Sequence, residues 1–217
     1  MAHAIDQTWT HQIAQRLARD PLPGRAAQMR FMPQSAQNRH FSTVPEDAVP
    51  AAVAIVLCGP DGGAACDSWC LPLIRRPITM KHHAGQVCLP GGRVDGTETI
   101  REAAARELAE ETGLGAHRLE HLGDLTPLYV FTSGFMVTPV VFACDQSDIE
   151  FTPNDAEVAE LLRVPLSRLQ DPLNQQFQCR EFDGRNYQVP FFQFESHQIW
   201  GATSMILSEL LAVIDDV

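Results

Sequence analysis

The sequence predicts an α/β protein, an α/β/α sandwich around a mixed β-sheet. Three observations carry that expectation: apolar runs of strand length at 51–58 and 136–144, a capped helix at 100–112 between them, and an apolar-striped helix closing the chain from 199 to 214. Strands alternating with helices imply a sheet covered on both faces. The 217 residues suffice for a sizeable core. Residues 1–49 are expected to form an extension packed on that core, and residues 50–217 a single domain.

The extension opens with a weak amphipathic helix near Thr10 to Leu17, followed by a Pro/Gly/Gln-rich passage from Pro21 to Pro50. Ala51 to Cys58 is apolar throughout and ends at the turn cluster Gly59-Pro60-Asp61-Gly62-Gly63, which predicts a central strand. Ser68 to Ile74 offers a second strand, so the two are expected to form a hairpin with Arg75 and Arg76 at its end. Thr99-Ile100-Arg101-Glu102 is a capping box, Glu102 precedes Arg106 by four residues, and Gly113 suits the left-handed position after a last turn. A helix over Ile100 to Thr112 follows.

Met136 to Cys144 predicts another buried strand, in which Pro139 implies an edge or a bulge. Ala156 to Leu162 and Leu166 to Gln170 read as short helices separated by Pro165. Gln176 to Phe194 predicts a hairpin turning over Asp183-Gly184. Ile199, Met205, Ile206, Leu210 and Val213 recur at near-helical spacing, which predicts a final helix from Ile199 to Ile214 packed on the sheet.

Composition excludes several functions. The chain is 45% hydrophobic and 20% charged, without the roughly 20-residue apolar stretch of a membrane-spanning helix. Met1 to Asp20 mixes Asp6, Arg16, Arg19 and Asp20 among apolar residues and has no hydrophobic core of a secretory signal, so a cytoplasmic location is expected. The six cysteines, Cys58, Cys66, Cys70, Cys88, Cys144 and Cys179, lie mostly in strand-like runs and read as reduced thiols. Cys66 and Cys70 with His82 and His83 lack the matching half of a structural zinc site. A net charge of −11 argues against a nucleic-acid surface. An anionic substrate must then be met by a local basic cluster or by bound cations.

Glu107, Glu110 and Glu111 stand in i, i+3, i+4 relation, which places them on one helix face within about 100° of arc. Alone, such a helix is most often a solvated surface. Here Ala103 and Ala104 leave room beside the carboxylates, and Pro90-Gly91-Gly92 lets the backbone bend so that the Gly91 carbonyl can approach the same ion. Hard oxygen donors of this kind suit Mg²⁺ or Mn²⁺. Such a cation neutralises a diphosphate and lowers the pKa of bound water for attack on phosphorus, and a carboxylate can accept the water's proton.

Gly92, Glu98, Arg106, Glu107, Glu110, Glu111 and Gly113, with Leu108 and Leu114 in apolar slots, match the Nudix signature at full spacing, and the chain resembles a Nudix hydrolase. That resemblance implies a Nudix fold, cleavage of a nucleoside diphosphate linked to another group, metal binding by Glu107, Glu110 and Glu111, and a bracing role for Glu98 and Arg106. The base is implied to be one of the three carboxylates or a Glu from a loop, for which Glu157 in D-A-E-V is the candidate.

The flanks resemble the coenzyme A diphosphatase subfamily. Leu73-Ile74-Arg75-Arg76, Lys81, Gly85 and Leu89-Pro90-Gly91-Gly92 are similar to its upstream motif, with Pro72 and Ile74 in place of Leu and Thr, Lys81 for Arg and Leu89 for Phe. Lysine keeps the charge but not the bidentate fork. Downstream, Leu125-Thr126-Pro127-Leu128-Tyr129, Ser133-Gly134-Phe135, Val137-Thr138-Pro139-Val140-Val141, Val164-Pro165-Leu166 and Ile199-Trp200-Gly201-Ala202-Thr203 are similar to it in order. The likeness runs from about residue 50 to 214.

It implies a small-molecule nucleotide diphosphate, coenzyme A, as substrate, hydrolysed to 3′,5′-ADP and 4′-phosphopantetheine, with acyl-CoA as a further substrate. Arg75, Arg76 and Lys81 would counter its phosphate charge, with His82 and His83 as further candidates. Competing readings are hydrolysis of ADP-ribose, NADH or dinucleoside polyphosphates, and a nucleotide sensor without turnover. No nucleic acid or membrane partner is expected, and a homodimer is left open.

Overall fold

Alternate residues of the 51–58 run enter two different cores, which is why the run is apolar throughout. The structure, a computed structural model, describes residues 7–19, 21–35, 44–59, 69–80, 83–145, 149–182 and 184–217. The expected turn at 60–63, Cys66, Lys81, His82 and Asp183 lie outside them.

In chain order the described residues form α1 (Gln7–Leu17), α2 (Gly24–Gln28), β1 (Gln34–Ser35), β2 (Val49–Gly59), β3 (Cys70–Arg75), β4 (Val87–Cys88), β5 (Gly91–Arg93), α3 (Ile100–Thr112), β6 (Glu120–Asp124), β7 (Leu128–Val130), β8 (Phe135–Asp145), β9 (Glu160–Pro165), α4 (Leu166–Gln170), β10 (Gln175–Phe182), β11 (Arg185–Phe194), β12 (His197–Trp200) and α5 (Ala202–Asp215).

An 8-stranded mixed sheet contains β2 to β9. Its centre is the parallel pair β2 and β8, in register from Val49↔Phe135 to Gly59↔Asp145. Ala52, Ala54, Val56 and Cys58 of β2 join Ala103, Ala104 and Leu108 of α3 in one core. Ala51, Ile55 and Leu57 join Leu207, Leu210 and Ile214 of α5 in the other. That second face also carries a 4-stranded antiparallel sheet of β1, β10, β11 and β12. The fold is thus the expected mixed α/β sandwich, with an added sheet beside the helices of one layer.

β2 and β3 run antiparallel and pair at Cys58↔Cys70. Beyond that pair β4 lies on β3 and β5 on β2, and the Ala54 N–H donates to the Pro90 carbonyl at 2.8 Å. The glycine segment is therefore wedged between the two strands at the end where the site forms.

Three expectations are corrected. Residues 160–165, which overlap the expected helix at 156–162, form β9, because β3 needs a neighbour and takes it in the register Leu71↔Val164, Leu73↔Leu162. The burial there alternates every second residue, as in a strand with one covered face. Pro139 does not mark an edge, since β8 is flanked by β2 on one side and by β6 and β7 on the other. Its carbonyl accepts from the Leu125 N–H at 2.9 Å, just where the neighbouring chain passes from β6 to β7 and a missing donor costs no ladder bond. Ile199 belongs to β12 and pairs with Phe192, so the last helix starts at Ala202.

The first described residues are attached at several points. Ile13 of α1 is fully buried, and the Trp9 and Trp69 rings lie 4.8 Å apart. Glu209 of α5, with no exposure, accepts from the Gly24 N–H at 3.0 Å, the Gln28 side-chain amide at 2.8 Å and the Thr126 N–H at 3.2 Å. A buried carboxylate is tolerated when its lone pairs are occupied in this way. No described helix is long and apolar enough to cross a membrane.

Candidate active site

α3 is held at both ends as its sequence signals. Thr99 Oγ1 accepts from the Glu102 N–H at 3.3 Å, Glu102 Oε2 accepts from the Thr99 N–H at 2.8 Å, and Gly113 closes the helix at φ 77°. Small Ala103 and Ala104, both fully buried, seat the helix against β2.

β5 passes directly under the carboxylates. A side chain on Gly92 would collide with the Glu107 carboxylate, and one on Gly91 would collide with the Ala52 carbonyl. Backbone contact and a φ of 154° require glycine at 91, whereas at 92 a side chain would push the Glu107 carboxylate aside. The Gly91 N–H donates to Glu111 Oε2 at 2.9 Å.

Glu111 is 2% exposed. Burial pushes its carboxyl up to about 8, the Glu107 and Glu157 charges push the same way, and the Gly91 N–H and Arg76 oppose them. Glu107 is raised for the same leading reason, with the Arg106 hydrogen bond opposing and Glu110 and Glu157 adding repulsion. Glu110 is exposed.

Arg106 neutralises the outer part of the cluster. Its Nε and Nη2 donate to the two Glu98 oxygens at 3.0 and 2.8 Å, its Nη1 to Glu107 at 2.9 Å and Glu110 at 3.0 Å, and its Nη2 also to the Arg93 carbonyl at 3.1 Å. The guanidinium thereby ties the loop after β5 to α3. The Glu98 carboxyl is held at about 2, first by Arg106 and then by the Asp95 N–H.

Arg75, the last residue of β3, and Arg76 just after it go to opposite faces, as the two-residue period of an extended chain dictates. Arg76 lies on the α3 side, with Nη1 3.9 Å from Glu111 Oε1. Its Nε is buried without a hydrogen-bond partner among the described residues. Cys88 sits beneath Arg76 and Glu111, and burial, aided by the Glu111 charge, pushes its thiol up to about 12. Arg75 lies on the other face and donates to Glu160 Oε2 at 2.9 Å, while His197 Nε2 is 3.4 Å from Glu160 Oε1. The structure thus brings Arg76, Gly91, Glu107, Glu110 and Glu111 together and leaves Arg75 apart.

Glu157 is exposed on a loop docked to the end of α3. The Thr152 N–H donates to the Thr112 carbonyl at 2.9 Å, the Asn154 N–H to the Glu111 carbonyl at 3.1 Å, and the Glu157 N–H to Asn154 at 2.9 Å. Its charge acts on both Glu107 and Glu111. His83 faces Gln86 at 3.0 Å and joins none of these groups. Sequence reasoning missed Cys88, Glu160 and His197. Glu160 could have been found only through the β3–β9 register, which carries no local signal.

The donors fit a hard divalent cation: they are all oxygens, they share a helix face, and one is buried with insufficient positive charge beside it. Among the described residues no three His, Cys, Asp or Glu side chains are gathered closely enough to hold an ion as they stand. Arg106 Nη1 donates to one oxygen each of Glu107 and Glu110, which leaves their other oxygens for a cation. A cavity of about 380 Å³ beyond the end of α3, lined by Gly113, Leu114, Gly115, His117, Arg118, Ile149 and Glu150, includes none of the α3 carboxylates.

A family model described as NUDIX domain matches residues 48–182. The protein named uncharacterized Nudix hydrolase NudL of Yersinia enterocolitica is 35% identical over 183 residues, covering 83% of this chain and 88% of that one. Its namesake in Pectobacterium atrosepticum is 36% identical over 147 residues, covering 67% and 76%. Among solved structures, a MutT/nudix family protein from Enterococcus faecalis superposes with TM-score 0.50 at 15% identity, covering 98% of this chain and 75% of that one. That last likeness is one of fold alone.

Proposed function

The chain belongs to the Nudix hydrolase family, and on that premise we propose that it is a coenzyme A diphosphatase, cleaving coenzyme A and acyl-CoA to 3′,5′-ADP and the 4′-phosphopantetheine half with Mg²⁺ or Mn²⁺. The observation that carries the catalytic part is the placement of Glu107, Glu110 and Glu111 on one face of α3 over Gly91 and Gly92, with Arg76 beside the buried member. The choice of coenzyme A is supported by the similarity of the segments flanking α3 to that subfamily.

Glu107, Glu110 and Glu111, with the Gly91 carbonyl, are the groups that would hold the cation, which when bound supplies charge neutralisation and an acidified water. Glu111 must give up its proton to serve as a ligand, because burial holds its carboxyl at about 8 without metal. Arg106, anchored on Glu98 by two hydrogen bonds, keeps Glu107 and Glu110 oriented. Arg76, whose buried Nε has no hydrogen-bond partner among the described residues, is the arginine placed to donate to a diphosphate oxygen. Lys81, which falls between β3 and β4 in the sequence, would add charge. Arg75 would contribute only by releasing Glu160.

Glu157, on its own loop and near enough to raise both Glu107 and Glu111, takes the role of base. It accepts the proton of the attacking water, whose oxygen bonds to one phosphorus while the bridging oxygen leaves with the other. A panel of coenzyme A, ADP-ribose, NADH and dinucleoside polyphosphates with each metal tests the substrate. Coenzyme A should give the highest kcat/KM by at least about tenfold. A higher value for a substrate lacking pantetheine contradicts the assignment.

A further inference from the structure

Cys58, Cys70 and Cys144 lie side by side across three neighbouring strands. Cys58 of β2 is the antiparallel partner of Cys70 on β3 and the parallel partner of Cys144 on β8. All three belong to the core on the α3 side and all are thiols. Directly opposed residues of an antiparallel pair have Cα atoms about 4.5–5.5 Å apart, within the roughly 4.4–6.8 Å that a disulfide spans. The thiols of Cys58 and Cys70 are already hydrogen-bonded to each other.

The two have unequal chemistry. Cys70 is 9% exposed, whereas Cys58 and Cys144 are fully buried, so an oxidant from solvent meets Cys70 first. The hydrogen bond from Cys58, joined by Arg163 of β9, pulls the Cys70 thiol down to about 6 against the opposing effect of burial. That pull favours the Cys70 thiolate, and the thiolate is the nucleophile. The Cys58 thiol is held well above its usual value, first by the hydrogen bond to Cys70 and then by burial.

We propose that Cys58 and Cys70 form a redox modification site for peroxide-class oxidants, closing to a disulfide between β2 and β3. The Cys70 thiolate attacks one peroxide oxygen and becomes a sulfenic acid, and the other oxygen leaves as water after taking a proton. That step removes the negative sulfur that kept Cys58 protonated. The Cys58 sulfur then bonds to the Cys70 sulfur, and the sulfenic oxygen departs with the Cys58 proton as a second water. Two thiols lose two electrons and the peroxide gains them. The bond would lie at the far end of β2 from Ala52 and Val53, which face Gly92 and Gly91.

The test is peptide mapping of reduced wild-type protein after hydrogen peroxide. Remaining thiols are alkylated, and the chain is cut ahead of Asp61 and Asp67 so that Cys58, Cys66 and Cys70 separate. The expected product joins the Cys58 and Cys70 peptides with loss of two hydrogens, is reversed by dithiothreitol, and persists in Cys66→Ser. Cys58→Ser should stop at a Cys70 sulfenic acid that dimedone traps, and Cys70→Ser should leave Cys58 reduced at the same dose. The mapping needs only the wild type, so it discriminates even where either variant folds poorly. A bond from Cys58 to Cys66 or Cys144 overturns the proposal. So does survival of both thiols at a dose that oxidises the exposed Cys179.

Discussion

The Gly91 N–H donates to Glu111 Oε2 at 2.9 Å, and this bond joins the strand wedged between β2 and β3 to the last turn of α3. The two glycines there fail differently when given a side chain. Gly92→Ala drives a methyl into the Glu107 carboxylate and should lower kcat by at least about tenfold, since small misplacements at a reacting centre are costly. The fold should persist, as judged by circular dichroism. Gly91→Ala meets the Ala52 backbone and should lower Tm more than Gly92→Ala does. The reverse order of Tm values would contradict the packing described.

Glu111 links stability to pH in a defined direction. Its carboxyl is raised in the fold, from the ordinary 4.5 to about 8, mainly by burial. The stability it carries is therefore fully present below about pH 4.5 and is lost as pH rises through about 8. In metal-free protein, Glu111→Gln should raise Tm over wild type near pH 9 and have much less effect near pH 5, by roughly 2–4 °C for each kcal/mol recovered. Calorimetric melts in chelator across that range check it. A variant less stable than wild type at the alkaline end would refute the burial argument.

Glu98 behaves in the opposite sense. Its carboxyl is depressed to about 2 by Arg106 and the Asp95 N–H, so its contribution is present above about pH 4.5 and fades as pH falls toward 2. Acid unfolding of Glu98→Gln should be flatter than that of wild type over that window, and the difference should shrink in high salt because the pair is partly exposed. Loss of the two hydrogen bonds that fix Arg106 should also lower kcat. Unchanged turnover would remove Arg106 and Glu98 from any orienting role.

Glu209 anchors the residues before β1. Replacing it with Ala strands the buried Gly24 N–H and the half-buried Thr126 N–H, and leaves the Gln28 amide only its bond to the Thr126 carbonyl. The expected destabilisation is about 3 kcal/mol, and so a Tm lower by roughly 6–12 °C. Hydrogen exchange at Gly24 and Thr126 should quicken before exchange in β2. A change within a degree of wild type would show that these contacts are dispensable.

What could be read in advance was local. Thr99, Glu102 and Gly113 announce the ends of α3 because capping is a matter of neighbouring residues, and the β2 run announces itself because both its faces are buried. The signals that failed were long-range ones. The strand at Glu160–Pro165 exists because β3 lies beside it, and Pro139 is tolerated because the adjoining chain changes strands there. The opposite directions of Arg75 and Arg76 follow from the strand period alone and were legible in principle. Arg75's commitment to Glu160 and Glu209's hold on Gly24 were not, since those partners are 85 and 185 residues apart.

The decisive experiment is Mn²⁺ titration by electron paramagnetic resonance on wild type and on Glu107→Gln/Glu111→Gln, with coenzyme A turnover measured in the same samples. Wild type should bind Mn²⁺ and release 3′,5′-ADP only when the metal is present. The double variant should keep its fold but lose tight Mn²⁺ binding and nearly all turnover, a fall of about a thousandfold or more. Undiminished Mn²⁺ affinity or turnover in the folded double variant would show that the α3 carboxylates are not the metal centre.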